Sequence, residues 1–130
     1  MIFEELFLRG SYVISLEKKS DSRGSFTRFW CKDEIKRVGL EIDITQINNS
    51  INLKKGTLRG LHFQLPPKAE VKIVRCIRGA IWDVIVDLRS ESPTYGQWLG
   101  IELNEKNYKM IYIPKGFAHG FQTLQDNVEL

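Results

Sequence analysis

The nineteen residues "VKIVRCIRGAIWDVIVDLR" (71–89) constrain the fold more than any other stretch of the chain. Apolar side chains fall at Val71, Ile73, Val74 and Ile77 and again at Ile81, Val84, Ile85 and Val86, with Gly79-Ala80 dividing the run. Alternating or short continuous apolar runs broken by glycine read as strands, and this pair reads as a hairpin. "YKMIYIPKGFAHGFQTL" (108–124) repeats the grammar: Met110, Ile111 and Ile113 lead into a Pro-Lys-Gly turn, and Phe117, Phe121 and Leu124 follow it. One helix is predicted, over "CKDEIKRVGL" (31–40), with acids early, Lys36 and Arg37 late, and Gly39 as its stop. Many short strands with turn signals between them predict an all-β antiparallel sandwich or barrel with one short peripheral helix. Such a barrel can hold a ligand among its inward-facing side chains.

At 130 residues and 42% hydrophobic content, the chain supports one domain, 1–130, with its own core. No apolar run reaches bilayer length, and "MIFEELFLRG" carries acids where a signal peptide would carry lysines, so a soluble cytoplasmic protein is expected. Cys31 and Cys76 lack the spacing of a metal or redox pair and are expected as free thiols, buried or half-buried. The formal charge of +3 is too small and too scattered for a nucleic-acid surface, and a small anionic ligand suffices to account for it.

"GTLRGLHFQ" (56–64) places Arg59 and His62 three residues apart behind two glycines. The other histidine, His119, stands in a similar setting, "GFAHGF". A lone strand histidine is most simply a hydrogen-bonded structural imidazole, but two in like settings raise metal binding as a functional reading. In small barrels of the cupin type a glutamate completes such a metal site. Here Lys72 takes the glutamate's place and Gln64 that of a further histidine. An ammonium repels a divalent cation, so no metal is expected. Two histidines and a lysine with no compensating carboxylate nearby suit an oxygen that becomes anionic during a reaction, which favours enolate chemistry.

"DSRGSF", "QINNSINLKKGTLRGLHFQLPP", "VKIVRCIRGAIWDVIVDLRSESPTYGQW" and "IYIPKGFAHGFQTL" together resemble the successive motifs of the dTDP-4-dehydrorhamnose 3,5-epimerase family. The resemblance covers nearly the whole chain. It implies a cupin-type jelly roll that acts as a homodimer, without metal or organic cofactor, in polysaccharide precursor synthesis. The implied reaction inverts C3 and/or C5 of a nucleotide-diphospho-4-keto-6-deoxysugar, most simply dTDP-4-dehydro-6-deoxyglucose.

By the same resemblance His62 is the base that removes the proton beside the ketone, and Lys72 supplies positive charge to the enolate oxygen. His119 contacts the sugar. Arg23 and Arg59 hold the diphosphate, a task suited to a planar guanidinium. Phe26 packs on the nucleotide base, and Gln46 and Asn48 make polar substrate contacts. For Phe26 alone, burial in the core is the plainer expectation.

Two departures accompany the resemblance. Arg28, in "RGSFTR", stands where the family carries a glutamate that takes part in nucleotide binding, which opens CDP- or GDP-linked sugars as alternatives. The family also continues for several tens of residues beyond "DNVEL", and that stretch holds its general-acid tyrosine and the aspartate paired with the catalytic histidine. The chain is therefore expected to lack the family's C-terminal segment, and none of Tyr12, Tyr95, Tyr108 or Tyr112 is expected to serve as the acid. The rival reading is a non-catalytic nucleotide-sugar-binding paralogue.

Overall fold

The computed structural model describes residues 1–40 and 43–130. In chain order the elements are β1 (Ile2–Glu5), β2 (Tyr12–Ser15), β3 (Lys18–Asp21), β4 (Gly24–Thr27), α1 (Lys32–Arg37), β5 (Ile51–Asn52) and β6 (Leu58–His62). There follow β7 (Lys72–Val74), β8 (Ala80–Asp87), β9 (Trp98–Asn104), β10 (Lys109–Ile113), β11 (Phe117–Thr123) and β12 (Val128–Glu129). Two four-stranded sheets, ordered β1-β2-β10-β7 and β6-β11-β8-β9, form the body, with the ribbons β3-β4 and β12-β5 beside them. Every strand pairing among the described residues is antiparallel, as the sequence predicts.

The two predicted hairpins are corrected by this topology. β7 lies in the first sheet and β8 in the second, and β10 and β11 divide in the same way. Alternation shows which way side chains face but not which strand lies alongside. β10 finds its partners in β2 and β7, whereas β11 lies between β6 and β8. Gly79 serves the crossing between sheets. Its φ is +78°, and a Cβ there would stand 2.7 Å from Gln125 Nε2 and 2.9 Å from Val128 Cγ2, so only glycine lets the chain turn so close to its own C-terminal strand.

The core has two parts, and β10 contributes to both. Ile111 and Ile113 join Leu8, Ile81, Ile85, Leu103, Phe117 and Phe121 between the sheets. Met110 and Tyr112 point the other way, into a cluster with Ile14, Leu16, Ile35 and Leu40. The helix covers this second cluster through Ile35. Asp33 and Glu34 in its first turn and Lys36 and Arg37 in its last complement the helix dipole. Gly39, at φ +76°, follows its end as predicted. Cys76 is buried and Cys31 half-buried, both as free thiols. Burial pushes the Cys76 thiol up to about 11, which leaves it unreactive at neutral pH.

Two surfaces remain uncovered. All of β3 and nearly all of β4 are exposed. The second sheet presents Leu58 and Trp82 outward in one cross-strand row, together with Trp98. Among the described residues no helix is long and apolar enough to cross a membrane.

Candidate active site

The two histidines meet because β6 and β11 are neighbours. His62 lies directly opposite His119 in the register, and the rings stand edge to face with centroids 6.1 Å apart. A bulge between His119 and Phe121 shifts the pairing so that Arg59 falls opposite Phe121. Gly60 makes the approach possible: at φ +103°, a Cβ there would lie 2.6 Å from the His119 carbonyl oxygen and 3.2 Å from His62 Nδ1. Gly60, two residues before His62, thus permits close backbone contact.

β8 contributes a residue that sequence reasoning missed. Asp83 is completely buried, and its Oδ2 lies 2.8 Å from His119 Nε2. Burial pushes its carboxyl above the usual carboxylate range, with His119 pulling in the opposite direction. Its second oxygen, Oδ1, has no hydrogen-bond partner among the described residues. The pairing fixes which His119 nitrogen faces the carboxylate and turns Nδ1 away from it.

Lys72 enters from the opposite sheet. It opens β7, the edge strand of the first sheet, while His62 closes β6, the edge strand of the second. The Lys72 ammonium is close enough to act on His62, whose pKa is held below the ordinary imidazole value. Partial loss of solvent is the first cause, followed by the charges of Lys72 and His119. His62 is therefore mostly neutral at pH 7, with a ring nitrogen free to accept a proton.

The expectation that the cluster has no compensating carboxylate is corrected. Glu70 Oε1 lies 3.2 Å from Lys72 Nζ, and Asp83 is bonded to His119. Each acid is local in the sequence, Glu70 two residues before Lys72 and Asp83 on an inward position of β8. Neither stands out there, because strand pairing alone brings Asp83 to His119. No three of the described His, Cys, Asp or Glu side chains converge in a way that could hold a metal ion.

The structure places the remaining residues apart from this cluster or at its rim. Arg59 shares β6 with His62, and its Nε donates a 2.7 Å hydrogen bond to Asn52 Oδ1. Arg23 sits at the tip of the β3-β4 ribbon, 87% exposed, and pairs with Asp21 at 2.8 Å. Phe26, on the same ribbon, is 67% exposed, so the core burial expected for it does not occur. Phe26 and Arg28 line a recess of about 190 Å³ with Met1, Glu17, Lys19 and Glu34, and Arg28 is ion-paired to Glu34 at 2.9 Å. Gln46 and Asn48 lie exposed in the irregular segment before β5 and make no side-chain hydrogen bond to another described residue. Tyr12 and Tyr112 pack edge to face in the first sheet, away from the histidines.

Comparison with known proteins matches residues 5–130 to the model of the dTDP-4-dehydrorhamnose 3,5-epimerase family. A dTDP-4-dehydrorhamnose 3,5-epimerase of Sinorhizobium fredii (strain NBRC 101917 / NGR234) is 42% identical over 125 residues, 96% of this chain and 64% of the relative. The chain thus spans less than two thirds of that relative's length. Among solved structures, the dTDP-4-dehydrorhamnose 3,5-epimerase from Bacillus anthracis str. Ames with TDP and PPi bound superimposes with a TM-score of 0.95 at 40% identity, over 98% of this chain and 73% of that one. A dTDP-6-deoxy-D-glucose-3,5-epimerase from Legionella pneumophila Philadelphia 1, in complex with dTDP-4-keto-L-rhamnose, gives 0.92 at 34% identity, over 98% of this chain and 68% of that one. With a family model matched over nearly its whole length and the two-sheet fold of those enzymes, the chain belongs to the dTDP-4-dehydrorhamnose 3,5-epimerase family.

Proposed function

We propose that the chain acts on a dTDP-linked 4-keto-6-deoxysugar, abstracting a proton beside the ketone and inverting C3, C5 or both. The observation that carries this reading is the meeting of His62, Lys72 and the His119–Asp83 pair at the open edge between the two sheets. The neutral His62 imidazole takes the proton from carbon, and the electron pair of the broken C–H bond delocalises onto the C4 oxygen. That oxygen becomes an enolate stabilised by the Lys72 ammonium, while His119, held by Asp83, contacts the sugar. Return of the proton from His62 regenerates the substrate. Delivery from the opposite face gives the epimer and needs an acid group on that face.

Arg59 and Arg23 complete the reading as diphosphate ligands, Phe26 as the platform for the base, and Gln46 and Asn48 as polar contacts to the substrate. A dTDP-linked substrate is favoured by the nucleotides bound in the similar structures. An activated sugar nucleotide also sets the reaction in the cytoplasm. The reading includes a homodimer. A two-stranded ribbon is marginal alone, and among the described residues β3 and β4 contact little beyond each other. With Arg23 and Phe26 held away from the histidines of their own chain, a second copy supplies the ribbon with a surface and a site to complete. The uncovered Trp82, Trp98 and Leu58 offer such a surface.

Incubation with dTDP-4-keto-6-deoxyglucose, with product configuration read by NMR, tests the activity. Inversion at C3 or C5 that is lost in His62→Ala supports it. Binding without turnover gives the rival reading of a non-catalytic sugar-nucleotide binder, and turnover only of CDP- or GDP-linked analogues would reassign the nucleotide. Sedimentation of the same sample tests the dimer.

A further inference from the structure

We infer that Asn52 is a positioning residue that aims the Arg59 guanidinium at the substrate's diphosphate. The inference rests on the reading of Arg59 as an anion ligand given above. Asn52 is only 2% exposed, an uncommon place for an amide, and it lies on a two-residue strand held on its other side by β12. Flanking backbone bonds from Ser50 N to Leu130 O and from Leu130 N to Ser50 O, each 3.0 Å, pin that strand. The base of the side chain is therefore fixed before any ligand arrives.

The chemistry of the contact settles its orientation. A guanidinium only donates, so the oxygen of the Asn52 amide must face it, and the Asn52 nitrogen points back to Ser50 Oγ at 3.2 Å. Arg59 spends Nε on this bond. Neither of its terminal nitrogens has a partner among the described residues, so both are left to form the parallel pair of hydrogen bonds that a two-oxygen anion accepts. A long arginine side chain loses considerable rotamer freedom on binding, and a guanidinium already held at Nε loses less. Asn52 thus acts on affinity, through Arg59, and not on the proton transfer at His62.

Titration calorimetry with inorganic pyrophosphate, on wild type, Asn52→Ala, Arg59→Ala and the double variant, tests this. Asn52→Ala is expected to weaken pyrophosphate binding roughly tenfold, about the worth of one net hydrogen bond. In the Arg59→Ala background it is expected to have no further effect. Asn52→Leu, close to asparagine in size, removes only the acceptor and is expected to match Asn52→Ala, which keeps the test open if Asn52→Ala does not fold; Arg59→Lys loses the paired terminal nitrogens as well and is expected to bind more weakly than either. With the keto-sugar nucleotide, Asn52→Ala should raise KM and leave kcat in place, a split that general destabilisation does not produce. Equal binding by wild type and Asn52→Ala, or additive losses in the double variant, would overturn the role of Asn52 and leave the proposed function standing. Unchanged pyrophosphate binding in Arg59→Ala would overturn both this inference and the reading of Arg59.

Discussion

Two aspartates four residues apart on β8, Asp83 and Asp87, are both completely buried and face the same way, yet their surroundings are opposite. Asp87 is saturated. Its Oδ1 accepts from the Arg89 backbone and Nε, and its Oδ2 from Arg89 Nη2, Ser92 Oγ and Thr94 Oγ1, all within 3.0 Å. These bonds hold its carboxyl well below the usual range in spite of burial. Asp83 has one partner, His119, and an oxygen with none among the described residues. A buried carboxylate with every lone pair engaged fastens the loop that follows β8. One left half-satisfied is poorly explained by stability and well explained by chemistry.

Loss of Asp87 carries the heaviest penalty. Asp87→Ala leaves the Arg89 guanidinium and two hydroxyls without their acceptor and is expected to cost about 3 kcal/mol of stability, read by urea unfolding. Any protein that remains folded should bind dTDP normally. A stability loss under 1 kcal/mol would remove the structural half of the contrast. The same aspartate sets an acid limit. A carboxyl with a depressed folded pKa adds stability above about pH 4 that disappears as the pH falls below its ordinary value, so the unfolding free energy of the wild type should decline there more steeply than that of Asp87→Asn.

Asp83→Asn sharpens the other half. Replacing one charge-assisted hydrogen bond by a neutral one is expected to lower turnover by about tenfold to a hundredfold, with the melting temperature nearly unchanged because a costly buried carboxylate has been removed. A large stability loss with unaltered turnover would make Asp83 a second Asp87. Removing Lys72 is expected to lower kcat through loss of the enolate's charge partner, and the subtler effect of the same change is a shift in pH dependence. The Lys72 ammonium depresses the His62 pKa, so Lys72→Ala should raise it toward the ordinary value of about 6.5. The acid limb of kcat/KM then moves to higher pH, and activity at pH 6 falls relative to pH 8. An unmoved limb would separate Lys72 from His62.

The sequence shows strands through their alternation, and α1 through its early acids, late bases and Gly39, so the all-β class and the peripheral helix are legible in it. The partners of those strands are not. β7 and β8 look like one hairpin because alternation is local, whereas the assignment to two sheets depends on what β10, for β7, and β9 and β11, for β8, offer from elsewhere in the chain. The site follows the same division. His62, Lys72, Arg59 and His119 stand out through residue type and motif, and the fold brings the two histidines into direct apposition. Asp83 and Asn52 do not stand out, because an acid in "IWDVIVD" and an amide in "NNSINL" become informative only when cross-strand neighbours bury them against His119 and Arg59.

Solvent exchange reads the role of His62 as the base independently of inversion. The protein is incubated with dTDP-4-keto-6-deoxyglucose in deuterated water, and the C3 and C5 protons are followed by NMR across the pH range from 5 to 8. Deuterium uptake that rises through an apparent pKa below about 6.5 and falls at least a hundredfold in His62→Ala is the expected result. Uptake that continues undiminished in His62→Ala would contradict it and move the base to another residue.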